Sequence, residues 1–399
     1  MDEKKSRNPA CDIINIVFAA VIGVFLVLGL VFTLFFPSDV NEYENRKSEK
    51  IKPLSADSYA DGSFQDSTEK ALADNILCST DMKKLYNDVT GSYLRFMTDK
   101  TVMNADVYVK LGSFYLFKRE NILYSPGEMK HLARPISKHA QEYNRIAEKY
   151  PELDFYVYYV ERDSDINFET GKKSGMYDLL KEKLNYPEER VARFEVTDFE
   201  QFKKYYYKTD HHWNADGSYK GYTEILQLLE CYDEPIPISD SVVFPERYVG
   251  SKVKTNPAAK GYSDEFKVHR YLFPDMKVTM VGGVPAYDYG EQQNWLWGWE
   301  EHSEYSKYYG EDFGEVVFDT LKDKKENLLI IGESYDNAVI KLIASHFNKT
   351  CAVDLRFYEP YMHKDFDFAS YVSEHDIDKV LFMGAVDYFV MDEFLPEIK

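Results

Sequence analysis

Residues 13–36 are almost wholly apolar and carry no charge, which is long enough for the roughly 20 residues a membrane-spanning helix needs. The run exceeds the apolar region of a cleaved signal peptide, and no small-x-small cleavage pattern precedes Pro37. It therefore predicts an uncleaved anchor at 13–36 behind a short tail at 1–12. Lys4, Lys5 and Arg7 before the run favour a cytoplasmic N-terminus. Arg46, Lys47, Lys50 and Lys52 weigh the other way, but the nearer flank is acidic (Asp39, Glu42, Glu44) and long domains translocate largely regardless of such charges. The expectation is a single-pass protein of the cell membrane with its large domain outside the cytoplasm.

Beyond the anchor, 37–65 is polar and reads as a stalk, and 66–399 as one domain. Residues 66–87 have helical spacing, and 107–117 are β-branched and aromatic, predicting one or two strands. A helix is expected over 128–149, with Pro135 in its first turn. It is followed by a strand from Asp154 to Val160, a continuous apolar and aromatic run of the kind buried on both faces of a parallel sheet. A helix near 177–184, a strand near 193–196 and a helix over 217–229 continue the alternation. From 231 to about 320 the pattern turns irregular and rich in Gly, Pro and aromatics, predicting an insertion that shapes a cleft outside the sheet. Strands at 328–331, 352–357 and 380–383 then alternate with helices at 336–347 and 368–373. This alternation predicts an α/β sandwich around a mainly parallel sheet.

The net charge of −20 argues against nucleic acid as a partner, since phosphate binding needs a basic surface. Cys11, Cys78, Cys231 and Cys351 show neither metal nor redox spacing. They read as mostly buried thiols, with room for one disulfide that the sequence does not assign.

Two polar strings carry candidate chemistry. In Thr209-Asp210-His211-His212-Trp213-Asn214, alternate side chains of an extended segment share a side. Asp210 can then orient His212 as a general base, with His211 turned away. The same string also fits a plain polar turn capping the next helix with Asn214 or Asp216, or, less readily, a metal site. No H-E-x-x-H or C-x-x-C partner exists, and no metal or other cofactor is expected. In Gly332-Glu333-Ser334-Tyr335, Ser334 stands between an apolar strand and a helix, at the sheet edge where open α/β folds place ligands. It is either a nucleophile with an oxyanion site at the helix N-terminus or a helix cap. Gly332 would permit a close backbone approach. Trp295, Trp297 and Trp299 alternate and fit either a sugar-stacking face or a buried cluster. Arg356 near a strand end either binds an anionic or carbonyl oxygen or pairs with Asp354. Trp213 and Tyr335, adjoining the two strings, are candidate substrate contacts.

The Asp210-His211-His212-Trp213 string resembles the one that names the bacterial DHHW proteins, which are similar to the alginate O-acetyltransferase branch of the SGNH hydrolase superfamily. The resemblance extends to Glu44-Asn45-Arg46, Asp61-Gly62-Ser63-Phe64, the 328–335 strand and serine, and Asp354-Leu-Arg-Phe-Tyr358. It implies an SGNH-like three-layer α/β/α sandwich, with Asp210 as orienting acid, His212 as base and Ser334 as nucleophile. It also implies O-acetyl transfer to a polysaccharide, with the acyl group supplied by a membrane-bound O-acyltransferase. The chain departs from the pattern at Glu333, where Asp is usual. After the strand at 380–383 it has Gly384 and Asp387 where an oxyanion-hole asparagine is common, leaving the Ser334 N–H as the candidate donor. An esterase of the same fold and a non-catalytic glycan-binding scaffold are the alternatives.

Overall fold

The structure is a computed structural model. It describes residues 131–396 except 169, 255–258, 260, 281, 283, 289–303, 311 and 323–324, and before them 9–35, 40–41, 46–76 and short segments between 81 and 124. The chain divides into two compact units, Met1–Tyr86 and Asn87–Lys399.

In the first unit the apolar run forms the helix Pro9–Phe35. Among the described residues, no helix is long and apolar enough to cross a membrane. A short ribbon pairs Val40–Asn41 with Arg46–Lys47, and a helix covers Ser63–Asn75.

The second unit is built on an eight-stranded sheet. Its strands in chain order are β1 (Asp154–Val160), β2 (Val191–Phe194), β3 (Lys277–Met280), β4 (Val284–Tyr287), β5 (Glu315–Asp319), β6 (Leu328–Ile331), β7 (Lys349–Val353) and β8 (Lys379–Gly384). They lie in the order β4-β3-β5-β7-β6-β8-β1-β2. The run from β7 to β2 is parallel throughout, and β5, β3 and β4 extend it antiparallel. The sheet is therefore mixed and mainly parallel.

Alternation along the strands sends side chains into two separate apolar layers. Tyr156, Tyr158, Leu328, Ile330, Leu381 and Met383 enter one, with Tyr222, Ile225 and Leu226 of helix Ala215–Leu228. Phe155, Val157, Tyr159, Leu329, Ile331, Val380 and Phe382 enter the other, with Ile136, Ala140, Tyr143 and Ile146 of helix Ala133–Lys149. Helices thus cover both faces, which is why these strands read as continuous apolar runs.

Three expectations need correction. The region 231–320 is not outside the sheet: β3, β4 and β5 come from it. It also supplies a separate hairpin of Ile238–Tyr248 with Asp264–Tyr271. The strand expected over 352–357 ends at Val353. Asp354 accepts a hydrogen bond from the Arg356 N–H and caps a helix, Leu355–Met362. The helix expected over 336–347 is instead a 3-10 turn, Asp336–Ala338, followed by a short helix, Ile340–Ala344. Trp295, Trp297 and Trp299 lie outside the described residues.

Candidate active site

The Asp-His string is a tight excursion between two helices, Phe199–Tyr205 and Ala215–Leu228. Asn214 caps the second helix, its side chain accepting from the N–H groups of Asp216 and Gly217 at 3.0 Å each. Tyr206 and Trp213 form an isolated antiparallel bridge that closes the excursion. Trp213 is wholly buried and meets Phe194 and Tyr335 edge to face. The carboxylate of Asp264 holds the loop from the other side, accepting from the N–H groups of Lys208 at 2.9 Å and Thr209 at 2.8 Å, and from the Thr209 hydroxyl.

Within this frame Asp210 Oδ1 accepts from the His212 N–H at 2.9 Å and lies 2.6 Å from His212 Nδ1. Its Oδ2 accepts from the Ser251 N–H at 2.6 Å. That last bond depends on Gly250, where a Cβ would fall 2.3 Å from the Thr209 carbonyl oxygen and 2.5 Å from Asp210 Cβ. Burial alone would raise the Asp210 carboxyl, but His211, His212 and the Ser251 N–H together hold it well below the usual carboxylate range. It is an anion acting as a triple acceptor.

The other imidazole nitrogen, His212 Nε2, is 2.8 Å from Ser334 Oγ. With the proton on Nδ1 facing a carboxylate, Nε2 is free to accept from the hydroxyl. Ser334 follows β6 at the carboxyl edge of the parallel strands. Just before it, Gly332 leaves room for the Asp336 carboxylate: a Cβ there would sit 2.1 Å from Asp336 Oδ2. The Ser334 N–H donates to no acceptor among the described residues. The helical segments after Ser334 are too short for their dipoles to build an oxyanion site, contrary to the sequence-based expectation. Glu333 is buried and accepts from the Ala385 N–H at 2.7 Å. Burial raises its carboxyl, against the pull of Arg356.

Asp210, His212 and Ser334 are thus brought together, while the three candidate substrate contacts are engaged elsewhere. Trp213 and Tyr335 expose no surface. The Tyr335 hydroxyl donates to the His211 carbonyl oxygen, so both brace the loop from below. Arg356 lies on a helix, buried, with Nε 3.1 Å from Asp354 Oδ1 and Nη2 2.6 Å from Asp354 Oδ2, and with Asp312 at 3.7 Å. It neutralises buried carboxylates rather than presenting a free guanidinium. His211 does not turn away from His212: the ring centroids are 3.9 Å apart. Burial and the neighbouring imidazole push His211 well below the usual histidine range, so it is neutral, with Nδ1 2.7 Å from Ser251 Oγ.

Among the described residues, two side-chain groups have metal-ligand composition. The donors of Asp210, His211 and His212 lie within 4.8 Å of one another, but Asp210 and both nitrogens of His212 are already engaged as described. Cys231, Asp233 and His346 form the second group. There Lys325 holds both Asp233 oxygens at 2.9 Å, and the Tyr222 hydroxyl lies 2.6 Å from His346 Nε2. Cys231 and Cys351 are free thiols.

Sequence reasoning missed Ser251, Asp264 and Tyr305. The Tyr305 ring stacks on His212 at 4.0 Å and 11°, and its hydroxyl donates to the Ser334 carbonyl oxygen at 3.1 Å. None of the three stands at a spacing that links it to either string.

No protein-family model and no curated protein matches the chain. Solved structures do. A DHHW family protein from Eubacterium siraeum is similar over 72% of this chain and 95% of its own, at 16% identity and a TM-score of 0.56. A structure of PatB1 from Bacillus cereus with a sulfonyl adduct is similar over 72% of this chain and all of its own, at 18% identity and a TM-score of 0.55. A second PatB1 structure gives 0.51, at 18% identity over 73% and 99% of the two chains. The structural relatives of this chain therefore include a DHHW family protein, and the likeness shows a shared fold over about 72% of the chain.

Proposed function

We propose that the protein is a membrane-anchored, extracytoplasmic O-acetyltransferase that modifies a polysaccharide through an acyl-enzyme on Ser334. The observation that carries this reading is the unbroken chain of contacts from Asp210 through His212 to Ser334 Oγ, at 2.6 Å and 2.8 Å. A hydroxyl, a base and an orienting carboxylate at these distances are the parts of a nucleophilic acyl-transfer site.

Ser334 Oγ attacks an acetyl carbonyl while its proton passes to His212 Nε2. The imidazolium that forms is countered by the Asp210 carboxylate and returns the proton to the departing group, leaving acetyl-Ser334. In the second half, His212 takes the proton of a sugar hydroxyl whose oxygen attacks the acetyl carbonyl, and the imidazolium gives that proton to Ser334 Oγ as the acetyl–oxygen bond breaks. The Ser334 N–H supports the reading as a donor to the developing oxyanion. The uncharged run at 13–36 supports an anchor that keeps the site near a membrane-bound O-acyltransferase able to supply the acetyl group.

The relation to PatB1, whose structure bears a sulfonyl adduct, recommends a sulfonyl fluoride as the first probe. The full chain treated with phenylmethanesulfonyl fluoride should gain one sulfonyl group on Ser334, located by peptide mass spectrometry, and Ser334→Ala should gain none. An activated acetyl ester with a sugar acceptor then identifies the reaction: acetyl sugar for a transferase, free acetate alone for an esterase. A folded protein that is modified by neither reagent would be a scaffold, and the proposal would be wrong.

A further inference from the structure

Tyr305, from the region 231–320, packs against both His212 and Ser334. Tyr305 opens the short helix Tyr305–Tyr309, capped at its end by Gly310. Its ring lies almost parallel to the imidazole of His212, with centroids 4.0 Å apart. Its hydroxyl reaches past the ring to the main-chain carbonyl of Ser334 at 3.1 Å. One buried side chain therefore touches the base through its face and the nucleophile's own backbone through its tip. Burial raises the Tyr305 hydroxyl well above the usual phenol range, so it remains a donor.

We infer that Tyr305 is a positioning residue for acyl transfer: its ring fixes and electrostatically favours the protonated imidazole of His212, and its hydroxyl sets the main chain that carries Ser334. The inference rests on the reading of Ser334 and His212 as nucleophile and base. The physical ground is the negative face of an aromatic ring. Against a neutral imidazole the stack is an offset aromatic contact. Once His212 holds the serine proton, the same ring faces a cation. The other groups facing the imidazole are Asp210 at Nδ1, Ser334 at Nε2, the neutral His211 ring at 3.9 Å and the Tyr335 ring at 5.1 Å. Asp210 is the anion among them, and Tyr305 lies closest of the aromatic phenol rings.

The two roles separate in two variants of the full chain, each followed by the rate of Ser334 sulfonylation against pH. Tyr305→Phe keeps the ring and loses the hydroxyl: the rate falls about 3-fold to 10-fold, and the acidic limb of the profile stays where it is. Tyr305→Leu loses the ring: the acidic limb moves about half a unit to lower pH, because an imidazolium stripped of its aromatic partner gives up its proton more readily. A side chain that served packing alone would change the rate without moving the limb. An unmoved limb in folded Tyr305→Leu overturns the ring's role, and wild-type rates in Tyr305→Phe overturn the hydroxyl's. If Tyr305→Leu does not fold, Tyr305→Met carries the same test. Failure of the wild-type chain to label on Ser334 removes the functional reading itself, and this inference with it, before any variant is compared.

Discussion

His212 Nε2 lies 2.8 Å from Ser334 Oγ although the two residues are 122 positions apart. Their meeting is a product of the sheet: β6 delivers the serine to its carboxyl edge, and the loop anchored by Trp213 and Asp264 delivers the imidazole. If this contact is the working one, Ser334→Ala and His212→Ala each lower acetyl transfer by at least about 10²-fold to 10⁴-fold. The double variant should be little worse than either single one, because the two groups act as a unit. Additive losses in single-turnover assays would argue against a shared step.

The acid of the site is held as much by main chain as by histidine. Gly250→Ala forces the 250–251 backbone away from Thr209 and Asp210, breaking the 2.6 Å bond from the Ser251 N–H. We expect turnover to fall at least about 10-fold with KM little changed, since a misplaced acid harms the transition state more than binding. Equal kcat in the variant and the parent would show that the Ser251 contact is incidental.

Arg356 is expected to matter for folding and not for substrate. Its removal leaves Asp354, Asp312 and Glu333 without their shared cation. Arg356→Met should therefore cost about 3–5 kcal/mol in chemical denaturation. The fraction that remains folded should bind acceptor normally. A stable Arg356→Met with a raised KM would restore Arg356 as a substrate contact.

Stability should also fall in acid for a reason unrelated to the site. Burial pushes His139 and His346 down from 6.5 to about 4. Between those values the unfolded chain binds protons that the folded chain refuses, so stability declines as pH falls from about 6.5 to about 4 and levels off below. Each histidine contributes up to about 3 kcal/mol to that decline. Among the described residues neither ring nitrogen of His139 has a hydrogen-bond partner, and only Asp392 Oδ1 at 3.7 Å faces Nε2, so His139→Leu should flatten the slope, read from urea midpoints at pH 7.5, 6 and 4.5. An unchanged slope would place the acid sensitivity elsewhere.

Much of the scaffold was legible because the central strands are buried on both faces. Asp154–Val160 and Leu328–Ile331 are continuous apolar runs, and their bounds agree with the structure. The meeting of Asp210, His212 and Ser334 was legible as residue types in two short strings, although no spacing reveals a 2.8 Å contact. The errors have physical causes. β3 is a four-residue strand that alternates polar and apolar positions, and β5 is a five-residue strand with Glu315 and Asp319 at its ends, so neither stands out as a continuous apolar run. Residues 352–357 are apolar across a strand and the helix after it, and only the Asp354 cap marks the break. Trp213 and Tyr335 were read as substrate contacts because they adjoin reactive residues, yet rings that large are most useful beneath a loop. Tyr305 was silent, since a stack across the fold leaves no periodicity.

The strand order also bears on how the molecule is made. β6, β7 and β8 occupy the middle of the sheet yet come from residues 328–384, after every other strand has been synthesised. Before they emerge, the strands already made can pair only as β1–β2 and β5–β3–β4, whose inner edges would be bare and open to pairing with other chains. Their insertion joins the two halves of the sheet and places Ser334, which follows β6, at its carboxyl edge. A nascent or truncated chain would thus be sticky while Ser334 and His212 are still apart, and closing the sheet would both cover the bare edges and complete that pair.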